Sequence, residues 1–214
     1  MNLDAFQGLF APRAQVDQFY GVVVGVVTNN QDPDNMHRVK VRFPWLSNDV
    51  ESNWARVVAP MAGHDRGAYF LPEVDDEVLV AFEHGRVDHP YVLGNLWNGK
   101  DTPPESNANG ENNHRTIKSR SGHVVRLNDA AGSETIEIID KTGENKIVVN
   151  SAENSITIEA NADITIKSAT GKLIMEANGI EMKSQAGITV QATLGLDMKA
   201  NAQVTLKGAT IQLN

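Results

Sequence analysis

A chain of 214 residues with 41% apolar and 21% charged side chains can build one large domain or two small ones and is too apolar for general disorder. Its net charge of −8 disfavours polyanion binding as the main task, because neutralising phosphates takes clustered Lys and Arg. The absence of cysteine excludes disulfides, thiolate nucleophiles and cysteine metal sites, and no apolar run reaches the ~18 residues of a membrane-spanning helix.

The first residues, Met1 to Phe6, lack the basic and apolar regions of a secretory signal. Within the 1–18 segment, Leu3, Phe6, Leu9 and Phe10 stand at near-helical spacing. They read as a frayed terminus or a flap over the following domain, with docking of a partner protein as the sharper alternative. Residues 19–100 then read as strands: Tyr20–Val27, Arg38–Phe43, Trp54–Ala59, Val78–Phe82 and Tyr91–Leu96. The second alternates strictly, with Val39, Val41 and Phe43 on one face and Arg38, Lys40 and Arg42 on the other. Five short strands suit a small closed barrel of the OB type, which leaves no open sheet edge. Spacing alone fits other small barrels as well.

Composition breaks near residue 100. All six Phe, three Trp and three Tyr lie before it, and all eight Pro lie before residue 105. Residues 101–116 read as a linker rich in Pro, Asn and Gly. Beyond them the chain carries Ile, Val, Leu and Met without aromatics, and from residue 156 it repeats every eight residues.

The octads begin at 156, 164, 172, 180, 188, 196 and 204. Their first and third positions are apolar and share a strand face. These positions are Ile156, Ile158, Ile164, Ile166, Ile174, Ile180, Met182, Ile188, Val190, Leu196, Met198, Val204 and Leu206, and together they form the candidate core. Lys172, at a first position, and Glu176, at a fifth position otherwise held by Ala, Ser or Gly, break the pattern within one unit. A local register shift around Leu173 and Met175 would account for both. Strands this short, separated by small bends, stack into a β-helix or β-prism. Two buried side chains per unit contribute roughly 1.5–3 kcal/mol each. Ordering eight residues costs about 1–2 kcal/mol per residue. Shared burial among several chains offsets that deficit, while a single-chain β-solenoid stays open on periodicity alone.

The order of motifs resembles the central spike of contractile injection systems: phage baseplate assembly protein V, the phage tail puncturing spike and the VgrG spikes. The carriers are Gly21-Val22-Val23, Asp32-Pro33-Asp34, Arg38 to Trp45, Trp54-Ala55-Arg56-Val57, Met61-Ala62-Gly63, Phe70 to Phe82, Asp88 to Gly94, Trp97-Asn98-Gly99, Ser119 to His123 and Gly132-Ser133-Glu134, followed by the octads. The resemblance implies an all-β chain, an N-terminal OB-fold barrel followed by an intertwined trimeric β-helix over residues 117–214. It further implies a homotrimer, a separate hub baseplate protein, an indirect link to the tail tube, and transient contact with a target cell envelope. A PAAR-like tip protein would bind at Ile211, Leu213 and Asn214. Such a spike assembles in the cytoplasm into a phage tail or injection particle and is delivered through a target envelope. The chain departs from the family where Asp75 stands in place of a frequent Gly and where Arg86-Val87 replace Asp-Pro. The linker leaves no room for a lysozyme insert and there is no His-x-His motif, and with about 18 residues ahead of the first barrel strand the resemblance leads us to expect the hub on a separate protein.

Other chemistry finds little support. His84, Asp88 and His89 lack a converging ligand set, and Asp75-Asp76-Glu77 reads as a solvated turn rather than a calcium loop. The Arg38, Lys40 and Arg42 face is expected to lack interleaved aromatics, and the domain is acidic overall, which argues against nucleic acid. We expect no catalytic residue, cofactor or metal. The alternative to a structural spike is a trimeric β-helix fibre that binds or degrades surface polysaccharide, which would need paired carboxylates flanking the bond.

Overall fold

The computed structural model describes residues 18–46 and 50–212. Leu3, Phe6, Leu9, Phe10, Leu213 and Asn214 lie outside the described residues. The chain divides into two compact units, residues 1–161 and 162–214.

The first unit opens with a closed barrel. Its strands are β1 (Val22–Asn29), β2 (Arg38–Arg42), β3 (Ala55–Val57), β6 (Glu77–Phe82) and β7 (Pro90–Asn95). A small exposed hairpin, β4 (Ala62–Gly63) with β5 (Arg66–Gly67), interrupts them. The barrel order is β1-β2-β3-β7-β6. It closes because β1 pairs antiparallel with both β2 and β6, while β3 and β7 run parallel. This is the five-stranded OB arrangement.

Alternation builds the interior. Val39, Val41, Phe43, Val78, Val80, Phe82 and Val92 are buried, with Val27 and Ala55 beside them. The β2 face expected from its alternation is thus the core face. The expected first strand begins later, at Val22, and the third shortens to three residues.

One position on β1 must be small. A Cβ on Gly25 would sit 2.3 Å from Val41 Cγ1 and 3.3 Å from the Arg42 carbonyl oxygen. Gly25→Ala should therefore destabilise the barrel by about 1–3 kcal/mol, the usual cost of overpacking. A denaturation midpoint unchanged from wild type would show that β2 can yield.

The turn between β1 and β2 explains the Asp-Pro-Asp motif. The Asp32 carboxylate accepts the backbone N–H groups of Asp34 (3.0 Å) and Met36 (2.9 Å), and the Arg38 Nε (2.8 Å) and Nη2 (2.6 Å) donors. Arg38 also reaches Asp34 at 2.6 Å. The Arg38 guanidinium, aided by those N–H donors, holds the Asp32 carboxyl well below the usual carboxylate range. Asp75 turns with φ +77°, a left-handed conformation that favours glycine. That is the position where the resembling family often has Gly. Val87, at the other departure, packs against the barrel core.

Beyond the barrel comes an antiparallel meander of five strands. They are β8 (His114–Lys118), β9 (Val124–Asn128), β10 (Thr135–Ile139), β11 (Lys146–Asn150) and β12 (Ser155–Glu159). Its turns use positive-φ residues where the chain reverses: Gly122, Gly132, Gly143 and Asn154. The Ser119 to His123 and Gly132-Ser133-Glu134 motifs of the sequence are the first two of these turns.

Candidate functional site

The meander has two unlike faces because its strands alternate and stay in register. One cross-strand row runs Ile117, Val125, Ile138, Ile147, Ile158. The next runs Arg115, Leu127, Ile136, Val149, Ile156. Both rows lie on the same face, since their members are two residues apart on each strand. That face is open: Ile117, Val125, Leu127, Ile136, Ile138 and Ile147 remain 42–57% exposed. With Phe70 its first row lines a concavity of about 620 Å³. Contiguous apolar surface of this kind marks a place where another surface docks. Of these residues, only Ile156 and Ile158 stood among the candidate core positions. The signal for the rest was present as an eleven-residue spacing, Val125, Ile136, Ile147, Ile158, interrupted by the turns at Gly132, Gly143 and Asn154.

The opposite face is more polar and mostly half-buried. Glu105, from the expected linker, accepts hydrogen bonds from Thr116 Oγ1 (2.8 Å) and Arg126 Nε (2.9 Å), and its other oxygen lies 3.1 Å from His114 Nδ1. Arg126 also pairs with Glu137 at 3.3 Å. The segment is therefore fastened across β8 and β9 rather than free. These donors, Thr116 foremost, lower the Glu105 carboxyl to about 2. A carboxylate whose folded pKa is depressed stabilises the fold above its unfolded pKa, and that contribution is lost as pH falls through the folded value. Stability should thus decline between about pH 4.5 and pH 2 through this group. Glu105→Gln should flatten that part of a pH series of melting temperatures. An identical acid slope in the variant would remove Glu105 from the account.

The cationic strand of the barrel is not a free basic patch. Arg38 is committed to Asp32 and Asp34, and Lys40 pairs with Glu51 at 3.1 Å. The expectation that this face lacks aromatics is corrected. Trp54, just before β3, lies beneath Arg38 (5.9 Å) and Lys40 (5.6 Å), and Tyr91 of β7 lies beneath Arg56 (5.7 Å). Strand pairing brings these rings in from elsewhere in the chain. His84 has φ +50° in a short 3-10 turn, Glu83–Gly85, and His89 lies 3.0 Å from Asp88. Asp76 accepts the Glu73 N–H and the Asn95 side-chain amide, as a turn residue does. Among the described residues no three His, Asp or Glu side chains converge as a metal site would require.

In the second unit the octads appear as six-residue segments outside any strand ladder, separated by bends. The bends fall at residues 161–162, 169–171, 178, 185–186, 193–194, 201–202 and 209. Among the described residues of this unit no strand pairs with another within the chain, and all are exposed. A single-chain solenoid, whose neighbouring coils would pair and hide their apolar positions, is not what these residues form. Glu181 and Lys183, at the second and fourth octad positions, form a 2.8 Å ion pair on the face opposite the apolar positions. Ile211 is likewise exposed.

Comparison with known proteins agrees with the barrel's topology. Residues 23–97 match the family model of the type VI secretion system/phage-baseplate injector OB domain. The chain is 32% identical over 146 residues to the type VI secretion system spike protein VgrG1a of Pseudomonas aeruginosa, covering 63% of this chain and 23% of the relative. It is 33% identical over 135 residues to spike protein VgrG3 of Vibrio cholerae, covering 58% and 13%. Against VgrG1b of Pseudomonas aeruginosa it is 32% identical over 150 residues, covering 67% and 19%. The matches thus span less than a quarter of the length of these relatives. The chain thus carries a closed five-stranded OB-type barrel that matches the injector OB domain of type VI secretion systems and phage baseplates, and as a whole it is similar to VgrG spike proteins.

Proposed function

We propose that this protein is a structural, non-enzymatic spike of a contractile injection system. Three parallel chains share one core, which runs from the meander into an intertwined β-helix needle built on the octads. The observation that carries this reading is the open apolar face of β8–β12, two cross-strand rows deep, followed in sequence by exposed apolar octad positions. Among the described residues nothing covers either, and burial of each such side chain contributes roughly 1.5–3 kcal/mol. Three copies of the same face cover one another. Similarity to spike proteins supports the role: a rigid needle that concentrates force on a target envelope.

In this reading the OB barrel is the collar that docks on a separate hub baseplate protein, and through it on the tail tube. The far end of the needle, with Ile211 exposed, takes a PAAR-like tip protein at Ile211, Leu213 and Asn214. The spike assembles in the cytoplasm and crosses the target envelope on contraction. Light scattering on the full chain should give the mass of a trimer. Adding hub protein or tip protein should each raise it, and truncation before Val204 should abolish only the tip-protein increment. A stable monomer would overturn the shared core, and a truncation that leaves tip binding intact would overturn the assigned end.

A further inference from the structure

The octad beginning at residue 172 does not fit the array as written. It puts Lys172 at an apolar position, Glu176 at a small one, and leaves Leu173 and Met175 on the outward face. We propose that the chain slips by one residue here, so that Leu173 and Met175, not Ile174, meet the partner copies in the shared core. The inference rests on the trimeric reading above and specifies its interface.

Three independent observations converge on it. The first is the spacing of the bends. Other units are separated by two-residue bends, at 161–162, 185–186, 193–194 and 201–202, with a final one-residue bend at 209, but the bend before this unit runs over 169–171 and the one after starts a residue late, at Asn178. One residue has been added to the first turn and taken from the second. The strand between them is displaced by one position while every later octad keeps its phase.

Exposure is the second. Apolar residues at first and third positions of the other units from 164 onward are 51–70% exposed in the single chain; Leu173 (61%) and Met175 (64%) fall inside that range, and Ile174 (77%) falls outside it. The third is chemical. A one-residue shift exchanges the two faces of a strand, and here it repairs both exceptions together. Lys172 leaves the first octad position for the place just after the lengthened bend, before Leu173. Glu176 takes the outward fourth position, where Lys167, Lys183, Lys199 and Lys207 stand in other units, and Ala177 takes the small fifth position. Without the slip, three copies of Lys172 would meet at one level of an apolar interior with no counter-charge, which is costly. With it, the only penalty is Ile174 on the surface, and isolated surface apolar residues are ordinary.

The chain has no native cysteine, so single substitutions report on their own sites. Maleimide labelling of the full-length assembly should proceed at the rate of an exposed thiol for Ile174→Cys and for Lys167→Cys. It should be on the order of 100-fold slower for Leu173→Cys, Met175→Cys and the reference Ile166→Cys, the protection that a closed folded unit gives. A second arm needs no thiol: Ile174→Lys should leave assembly mass and melting unchanged, and Leu173→Lys should lower both. Slow labelling of Ile174→Cys with fast labelling of Leu173→Cys would overturn the slip while leaving the trimer standing. Fast labelling at Ile166→Cys as well would overturn the shared core itself, and the slip with it.

Discussion

Ile138→Asp should convert the assembled protein to monomers. Ile138 stands at the centre of its row, opposite Val125 on β9 and Ile147 on β11, and is half-exposed in the single chain. A carboxylate there costs a lone chain little, because water still reaches it. In an assembly that covers the face, each copy brings one unpaired charge to the same level. The effective penalty of burying such a charge is several kcal/mol per ion, so three copies oppose assembly by on the order of 10 kcal/mol. That cancels the burial of several side chains of the row, at roughly 1.5–3 kcal/mol each. Light scattering should therefore read a monomer mass, with the far-ultraviolet signature of the barrel retained. A variant that keeps the wild-type mass would show that this face looks to solvent and that the chains meet elsewhere. Thr157→Asp, on the opposite face of β12, is the matched control and should leave the mass unchanged.

Phe82→Ala should be the most damaging single truncation in the barrel. Phe82 ends β6, is 7% exposed, and meets Phe43 edge-on with ring centroids 5.5 Å apart. Phe19, held by its N–H to the Gly85 carbonyl, completes the cluster at 6.4 Å. The rest of this interior is mostly valine and alanine, too short to reach into the vacated space. Removing a buried phenyl leaves a cavity at a cost of about 3–5 kcal/mol, a large share of the ~5–15 kcal/mol that stabilises a typical domain. Urea titrations at one fixed protomer concentration, which keeps any contribution from assembly constant, should show the midpoint fall accordingly. A loss below about 1 kcal/mol would mean that the aromatic cluster collapses around the gap.

The barrel strands were legible where one local rule acted alone. Strict alternation in β2 identifies Val39, Val41 and Phe43 as inward, and they are buried. The β6 run of Val78, Val80 and Phe82 obeys the same rule. Where two rules compete, local reading loses resolution. Residues 114–159 hold a period of two within strands, a period of eleven between them and glycine or asparagine at the turns, and they sit directly before a period of eight. The meander there surfaces only when strands pair. The Trp54 and Tyr91 rings beneath the cations had no signal within β2, because cross-strand neighbours are set by register and not by sequence distance. Glu105 reads as linker in composition, and only the folded sheet supplies the Thr116, His114 and Arg126 donors that fasten it.

By itself the sequence determined the all-β character, the five barrel segments, the octad positions and the absence of any thiol or clustered-base chemistry, since each follows from side-chain periodicity or composition along one stretch of chain. Tertiary structure alone decided the order β1-β2-β3-β7-β6, the parallel β3–β7 pair, the place of Glu105, and the alignment of Ile117, Val125, Ile138, Ile147 and Ile158 into one open row. The physical reason is that periodicity fixes which side of a strand a residue occupies, whereas hydrogen-bonded register fixes which residues from distant strands stand beside it. An interaction face is made of those neighbours.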